Sequence, residues 1–382
     1  MRPLYCSLNL LLSLAVWNGL SAQTKIYGTT ALGGAVGVGV LYSMNTDGTN
    51  YQVLHSFQAA PDGAQPTGKM VPGPAGKLYG FTPLGGAFGF GTIYSWDTAA
   101  QLYQKLIDLD SIHAAAPGGD PLFFNGKLYG LGQSGGATNG GTIFSYDLTS
   151  GQLTDVYDFS PAVGIAPFGS ITVWNNLFFF ETVAGAAFNN GNVMRFDPVT
   201  GIATDLYDFG SNTSNETIAS DLLLNNDMLY GMAESGGGSR FGFVFSLDPR
   251  TGAFKDLWNF VNTYWGQFLE PLAVYHGVLY GTARGGGIGN GGALYSLDLS
   301  TLVFNKVYDW QEDAQPTVDG AGPVGPVLID STGVIWGQTG SDGTNNAGVI
   351  YNYNIGTGAY TILFSFNWTP TGGGPRSGFI LQ

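Results

Sequence analysis

The sequence is poor in cysteine, histidine and charged residues. It has one Cys and three His, and Asp, Glu, Lys and Arg make up 10% of its 382 residues, against about 25% in a typical globular protein. Because Cys6 is the only Cys and lies in a segment that we expect to be removed, packing alone must hold the mature fold. His55, His113 and His276 have no metal-ligand spacing, so no zinc site is expected.

The charge that is present is mostly negative. A formal net charge of −14 would repel nucleic-acid phosphates, which excludes DNA and RNA as partners. No apolar run approaches the roughly 20 residues that a membrane-spanning helix needs. We therefore expect neither a nucleic-acid-binding protein nor a membrane span.

The first 22 residues have the pattern of a secretory signal peptide. Arg2 supplies a positive charge, residues 10–17 are short and mostly apolar, and Ser21-Ala22 before Gln23 is a small-residue cleavage site. We therefore predict a signal peptide over 1–22, a mature domain over 23–382, and a secreted protein, extracellular or periplasmic.

Glycine and aromatic residues are abundant. The chain has 61 Gly, 25 Phe, 20 Tyr and 8 Trp, and so many aromatic rings exclude a disordered glycine-rich linker. No Gly-X-Y period exists, which excludes collagen. At this length a single core would be unusually large, so a repeat architecture is favoured over one compact domain.

A repeat of 50 to 56 residues runs through the chain. Each copy has an aromatic residue in an apolar pair, and these aromatics are Tyr27, Tyr79, Tyr129, Phe179, Tyr230, Tyr280 and Trp336. A glycine follows twelve residues after each of them: Gly39, Gly91, Gly141, Gly191, Gly242, Gly292 and Gly348. The pattern is typical of tandem repeats that stack side by side.

Each copy reads as four short strands. Glycine-rich turns separate β-rich runs, and segments such as 197–201 and 248–252 begin with Asp-Pro and end with Gly, which is typical of hairpin turns. Seven copies of four strands predict an all-β, seven-bladed β-propeller. The first copy lacks its inner strand, so we expect residues 379–381 to supply it and close the ring.

One stretch of the repeat resembles a known family. It is the string Leu78-Tyr79-Gly80-Phe81-Thr82-Pro83-Leu84-Gly85-Gly86, followed by Gly89-Phe90-Gly91-Thr92-Ile93-Tyr94. It resembles the GloVer tandem repeat of secreted bacterial proteins, and its double glycine is similar to a kelch motif. The resemblance covers nearly all of residues 25–382. It implies a repeat fold without naming an activity, because the family is defined by its repeat.

Residues that differ between copies are the candidates for a binding site, because identical blades cannot present one asymmetric pocket. Five charged residues lie near the predicted starts of five inner strands: Lys69, Asp120, Asp221, Glu270 and Arg376. We expect them to surround one mouth of the central channel, with His113 and Trp265 overhanging it. Charged groups mixed with aromatic rings would suit a polar ligand such as a sugar.

The fourth copy departs from the others. Phe180 stands where the other copies have a glycine, and Glu181 stands where they have an uncharged residue. Arg195 stands where they most often have Ser. Since Glu181 and Arg195 lie on neighbouring predicted strands, they could form an ion pair. A local compensated substitution is an equally good interpretation.

Three classes of function remain open. The first is a binding module for an extracellular glycan or protein. The second is a glycan-active lyase or hydrolase, for which two of Asp120, Asp221 and Glu270 would face each other, although no catalytic residue can be assigned. The third is a structural component of the cell surface. We expect a monomer without a cofactor, with calcium possible in acidic loops such as 309–319.

Overall fold

The computed structural model describes residues 24–210, 217–218, 220–261, 267–287, 289–311 and 319–382. Within them the strands form seven antiparallel sheets. Each sheet is one copy of the repeat, and neighbouring sheets pack face to face around a central channel. The prediction of a seven-bladed β-propeller is confirmed.

Each blade begins with an inner strand at the channel and ends with an outer strand at the rim. In that order, blade 1 consists of Gly373–Pro375 and Ile380–Leu381, then Lys25–Leu32, Val40–Asn45 and Gln52–Ser56. Blade 2 consists of Val71–Pro72, Lys77–Thr82, Thr92–Asp97 and Leu102–Asp108. Blade 3 consists of Ala115–Pro117 and Leu122–Phe124, then Lys127–Ser134, Thr142–Asp147 and Leu153–Asp158. Blade 4 consists of Ile165–Trp174, Leu177–Ala184, Asn192–Asp197 and Ile202–Asp208.

The remaining blades follow the same order. Blade 5 consists of Thr217–Ile218 and Leu223–Asn225, then Met228–Ser235, Phe243–Leu247 and Phe254–Asn259. Blade 6 consists of Gln267–Leu269 and Ala273–Tyr275, then Val278–Gly285, Asn290–Asp298 and Phe304–Gln311. Blade 7 consists of Ala321–Ile329, Val334–Ser341, Val349–Asn354 and Tyr360–Ser365. The short helical segments are Pro74–Gly76 and Trp368–Thr371.

The ring closes where the sequence predicts. Thr30 of the first repeat pairs with Pro375, and Ile26 pairs with Leu381. Main-chain hydrogen bonds of 2.8 and 3.0 Å between Lys25 and Gln382 extend this pairing. The last residues therefore form the inner strand of blade 1, which leaves no unpaired sheet edge at the junction.

The hydrophobic core is divided among the blade interfaces. Each apolar cluster joins two adjacent blades; one combines Tyr79 of blade 2 with Phe144 of blade 3, and another combines Phe366 of blade 7 with Tyr42 of blade 1. The outer strands add aromatic stacking between blades, for example Tyr207 on Phe254 with ring centroids 4.0 Å apart. Because packing joins each blade to its neighbours, closure of the ring buries every face.

The recurring glycine is required by the backbone. Gly91 has a φ of +102°, and a Cβ built on it would lie 2.0 Å from the carbonyl oxygen of Thr82 on the adjacent strand. Gly191, in blade 4, would bring a Cβ within 1.8 Å of the Thr182 oxygen. Both the positive φ and the close approach exclude a side chain, which explains why this glycine occurs in every copy.

Blade 4 exchanges the positions of a large and a small residue. In blade 1, a Cβ on Gly28 would lie 2.5 Å from the hydroxyl of Tyr42, the residue opposite it on the next strand. In blade 4 the glycine is replaced by Phe180 and the opposite aromatic by Met194. The ring that fills this space comes from the second strand instead of the third. The departure of the fourth copy is therefore a compensated substitution at these two positions.

Candidate functional site

The inner strands are interrupted at the same level in several blades. In blade 3, residues 118–121 separate two short strands that both pair with Lys127–Ser134. In blade 4 the pairing register shifts between Phe168 and Thr172. Because the residues of such a bulge leave the β-ladder, their main-chain N–H groups need other partners.

Side chains of the next blade supply these partners. The N–H of Lys69 donates to Asp120 Oδ1 at 2.7 Å, and the N–H of Asp120 donates to Ser170 Oγ at 2.9 Å. The N–H of Ser170 donates to Asp221 Oδ1 and its hydroxyl to Asp221 Oδ2, both at 2.8 Å. We call these four residues of blades 2 to 5 the polar belt. Lys69 Nζ and Asp120 Oδ2, 2.7 Å apart, form an ion pair in it.

Glu270 makes a similar contact in another part of the ring. Its Oε2 accepts a 2.8 Å hydrogen bond from the N–H of Gly325 in blade 7. Glycine is common at this level because the inner strands approach each other closely: a Cβ on Gly119 would lie 1.9 Å from the carbonyl oxygen of Gly169. Main-chain contacts between blades therefore narrow the channel at the level of the belt.

Two adjoining cavities occupy the channel. The upper cavity, of about 480 Å³, contains Asp120, Asp221, Glu270 and Arg376 in its wall. The lower cavity, of about 290 Å³, is lined by Lys69 together with Asp120 and Asp221. The polar belt thus borders both cavities.

Burial changes the acidity of the carboxyl groups in the channel. It raises the pKa of Glu270 to about 7, in spite of the Gly325 N–H and the nearby Arg284 cation. It also raises the pKa of Asp221, and the negative charge of Asp120 adds to this shift. The Asp120 carboxylate raises the pKa of Lys69. The Lys69 ammonium group thus keeps its charge, whereas the carboxyls of Asp221 and Glu270 favour the protonated form more than they would in water.

The structure places the seven candidate residues as follows. The five charged residues line the two cavities. Lys69 lies just before its inner strand, Val71–Pro72, as predicted, whereas the other four lie within interrupted inner strands and not at the strand starts. His113 does not overhang the channel: it lies in the loop before blade 3, its Nδ1 2.9 Å from Asp110 Oδ1, and it is not in the wall of either cavity. Trp265 lies outside the described residues.

Several residues of the upper cavity were not among the candidates, and three of them share one repeat position. Arg284, Gln133 and Pro83 occupy the same repeat position, four residues after the recurring aromatic, and all three line the cavity. In blade 5 this position is Glu234. A signal for them existed in the sequence, because the position varies between copies in the same way as the five charged residues do. It was missed because it lies on the second strand of the blade.

The ion pair that Glu181 and Arg195 could form does not occur among the described residues. In the sheet register Glu181 faces Val193, and Arg195 faces Phe179. Glu181 is 2% exposed, and neither of its carboxylate oxygens has a hydrogen-bond partner among the described residues. Burial raises its pKa well above the usual range, and Asp221 adds to the shift. Glu181 is therefore a buried carboxyl held by packing alone.

The acidic loop proposed for calcium is described only in part. Asp309 pairs with Lys306, and residues 312–318 lie outside the described residues. In the part of the chain that is described, no three His, Cys, Asp or Glu side chains come together as metal ligands would. In the same part, no helix has the length and apolar character needed to cross a membrane.

Comparison with known proteins identifies the repeat. The Gloeobacter/Verrucomicrobia repeat matches residues 18–239, 175–318 and 213–382, which together span nearly the whole chain. The chain belongs to this repeat family. No curated protein matches its sequence.

Solved structures with the same fold include two from Bacteroides and one hydrolase. The extracellular domain of a protein assigned as a one-component system of B. thetaiotaomicron has 16% identity and a TM-score of 0.54, covering 83% of this chain. This chain covers only 38% of that protein. A protein assigned as a 6-phosphogluconolactonase of Bacteroides fragilis has 14% identity and a TM-score of 0.58, over 94% of this chain and 97% of its own.

The hydrolase is a puromycin hydrolase variant. It has 13% identity and a TM-score of 0.58, over 86% of this chain and 50% of its own. At these identities the similarities show the β-propeller fold alone, and any function must be argued from the residues of the channel.

Proposed function

We propose that this chain is an extracellular binding protein for a glycan, with the sugar in the upper cavity. The observation that carries the proposal is the convergence of residues that vary between copies. Asp120, Asp221, Glu270, Arg284 and Arg376 come from four different blades and line one cavity of about 480 Å³. A cavity of this size falls within the range of small-molecule sites.

The chemistry of the wall fits a sugar. Charged and amide groups such as Arg284 and Gln133 can exchange hydrogen bonds with hydroxyl groups. Phe168, which is 37% exposed, lies in the same wall and offers a ring face on which the apolar face of a pyranose can stack. A mostly apolar ligand would leave the polar groups without partners, which is costly.

The extracellular setting is supported by two observations. The first 22 residues have the composition of a signal peptide, and the fold is shared with the extracellular domain of the B. thetaiotaomicron protein. The mature chain would contain no cysteine, so its stability would not depend on the redox state of the compartment.

A glycan array probed with the mature chain tests this function. Two variants of blade 4 make a matched pair: Phe168→Ala removes a ring from the cavity, and Phe188→Ala removes a 52% exposed ring that is not in the cavity wall. We expect Phe168→Ala to weaken binding and Phe188→Ala to leave it unchanged. Equal effects of the two variants, or no glycan bound by the parent, would contradict the proposal.

A second candidate, a glycan-active enzyme, is favoured by Glu270. Its pKa of about 7 is the value that suits a general acid at neutral pH. Release of reducing ends, measured with every glycan that binds, separates the two functions. Turnover that Glu270→Gln abolishes while binding persists would indicate the enzyme; binding without turnover supports the binding protein.

A further inference from the structure

Among the described residues, four Lys and Arg side chains pair with carboxylates: Lys69 with Asp120, Lys105 with Asp108, Arg250 with Asp227, and Lys306 with Asp309. Arg284 and Arg376 differ from them. Both are exposed, both line the upper cavity, and among the described residues neither lies within 4.0 Å of a carboxylate.

The two arginines flank the inner part of blade 7 from opposite sides. Arg284, in blade 6, reaches towards blade 7: a Cβ built on Gly340 would lie 3.8 Å from Arg284 Nη2. Arg376, in blade 1, approaches from the other side, where a Cβ on Gly325 would lie 3.2 Å from its carbonyl oxygen. Because Gly325 and Gly340 have no side chains, blade 7 presents main chain at the two points where Arg284 and Arg376 approach it.

The carboxyl groups in the wall of the same cavity already have partners. The charge of Asp120 is balanced by the Lys69 ammonium group. Asp221 accepts hydrogen bonds from Ser170, and Glu270 accepts one from Gly325. Burial raises the pKa of both carboxyls, that of Glu270 to about 7, so Glu270 carries less negative charge near neutral pH. Arg284 is near enough to Glu270 to oppose the rise of its pKa, but among the described residues neither guanidinium group lies within 4.0 Å of a carboxylate, so both can pair with a ligand.

We infer that Arg284 and Arg376 bind the oxyanion of an acidic sugar, a carboxylate or a sulfate ester, in the upper cavity. The inference rests on the glycan-binding function proposed above and names the class of sugar. Guanidinium groups pair with planar or tetrahedral oxyanions through charge-assisted hydrogen bonds, which are stronger than those to hydroxyl groups.

The overall charge limits the ligand further. A net charge of −14 repels a long polyanion, so the ligand is a short or otherwise neutral glycan that carries one acidic unit. This distinguishes the site from a surface for polyanions, which needs many cations along a groove.

The experiment measures affinity by titration calorimetry with three probes on one neutral trisaccharide backbone: one terminal glucuronate, the methyl ester of that glucuronate, and one sulfate. The acid and the ester differ in charge but hardly in shape. We expect the acid to bind about tenfold or more tightly than the ester. The comparison of the acid with the sulfate tells which oxyanion the arginines prefer.

Substitutions assign the preference to the two arginines. Arg284→Gln introduces the residue that blade 3 has at the same repeat position, Gln133. We expect it, and Arg376→Gln, to reduce binding of the acid about tenfold and to change binding of the ester little. Lys255→Gln removes an exposed cation from the outer strand of blade 5 and serves as the charge control.

The outcomes separate this inference from the proposed function. Equal affinity for acid and ester, or unchanged binding of the acid in both arginine variants, overturns the assignment of the arginines while glycan binding stands. No binding of any probe or of any glycan on the array overturns both. Because both side chains are exposed, the melting temperature of each variant should equal that of the parent, and a lower value would assign the arginine a structural role.

Discussion

Glu181 gives the sharpest test of how the blades pack, because it should destabilise the protein. Its carboxyl is 2% exposed and without a hydrogen-bond partner among the described residues. At the same repeat position in blade 7, Gln338 accepts a 3.2 Å hydrogen bond from the hydroxyl of Tyr42 in the next blade. The residue of blade 5 that corresponds to Tyr42 is Phe245, which has no hydroxyl group.

We predict that Glu181→Met stabilises the fold. Blade 5 already has Met232 at this position, so the new side chain suits the site. Burying a polar group without a hydrogen bond costs about 1–3 kcal/mol, and the substitution removes this cost. With an unfolding entropy of about 2.1 cal/mol/K per residue, a domain of this length should melt about 1–4 °C higher. Calorimetry and guanidinium denaturation measure the change.

The gain should depend on pH. The pKa of Glu181 is 4.5 in the unfolded chain and is raised well above that by burial, so between these values the folded state holds a proton that the unfolded state has lost. The free energy of unfolding of the parent is therefore highest with respect to this group below pH 4.5. It falls as the pH rises above 4.5, by up to about 1.4 kcal/mol per pH unit. The advantage of Glu181→Met over the parent should therefore be larger at pH 7 than at pH 4.

A control and a contrary result complete the test. Leu131→Met changes the same repeat position in blade 3, where no carboxyl is present, and should alter stability by less than about 1.5 kcal/mol at either pH. If Glu181→Met melts lower than the parent, or if its advantage is the same at both pH values, then the carboxylate has a partner in solution and the reasoning is refuted.

Three further predictions concern the scaffold. In chemical denaturation, Gly91→Ala should destabilise the protein by at least about 2 kcal/mol more than Gly89→Ala. Both glycines have positive φ, but only at Gly91 would a Cβ contact main chain, at 2.0 Å. Equal losses of stability in the two variants would mean that the structure relieves this clash. Deletion of residues 373–382 should lower the melting temperature and cause association in size-exclusion chromatography. The reason is that it leaves the strand Lys25–Leu32 without its inner partner strands and with an open edge. A monomer of unchanged stability would contradict the prediction that the chain ends share blade 1. Ser170→Ala should destabilise the protein by about 1–3 kcal/mol, since it leaves the Asp120 N–H and Asp221 Oδ2 without their hydrogen-bond partner. The control Ser150→Ala, in an exposed turn, should change stability little. If Ser170→Ala also changes stability little, the polar belt is not needed for stability.

The fold was predictable because each copy repeats its local determinants. The hairpin turn of blade 4 is one example: Asp197 Oδ1 accepts the Val199 N–H at 2.8 Å, and Gly201 has a φ of +72°, as an Asp-to-Gly turn requires. The strand-sharing at Ile26 and Leu381 followed from counting strands in the first and last copies. These features depend on residues close in sequence or repeated in register, so periodicity alone reveals them.

The candidate site was less predictable, because its geometry depends on bulges and on register. The sequence does not show where an inner strand leaves the ladder, and so the side chains of Asp120 and Asp221 were expected at the channel mouth. At the channel mouth their carboxylates would be free to bind a ligand, whereas in the structure they accept hydrogen bonds from main-chain N–H groups of the preceding blade. Glu181 illustrates the role of register. It lies opposite Val193, so Arg195 is its diagonal neighbour and not its partner, and among the described residues the two side chains form no ion pair.

In the part of the chain that is described, the channel contains two kinds of residue that vary between copies: those that hydrogen-bond to a neighbouring blade and those that face the cavity without such a partner. The polar belt residues vary between copies because each satisfies a particular neighbour, as Ser170 does between Asp120 and Asp221. Arg284 and Arg376 also vary, yet among the described residues neither is within 4.0 Å of a carboxylate. Variation alone therefore does not identify a binding residue in a repeat protein. Variation together with exposure to the cavity and an unpaired charge does, and on that criterion the arginines are better candidates than the aspartates.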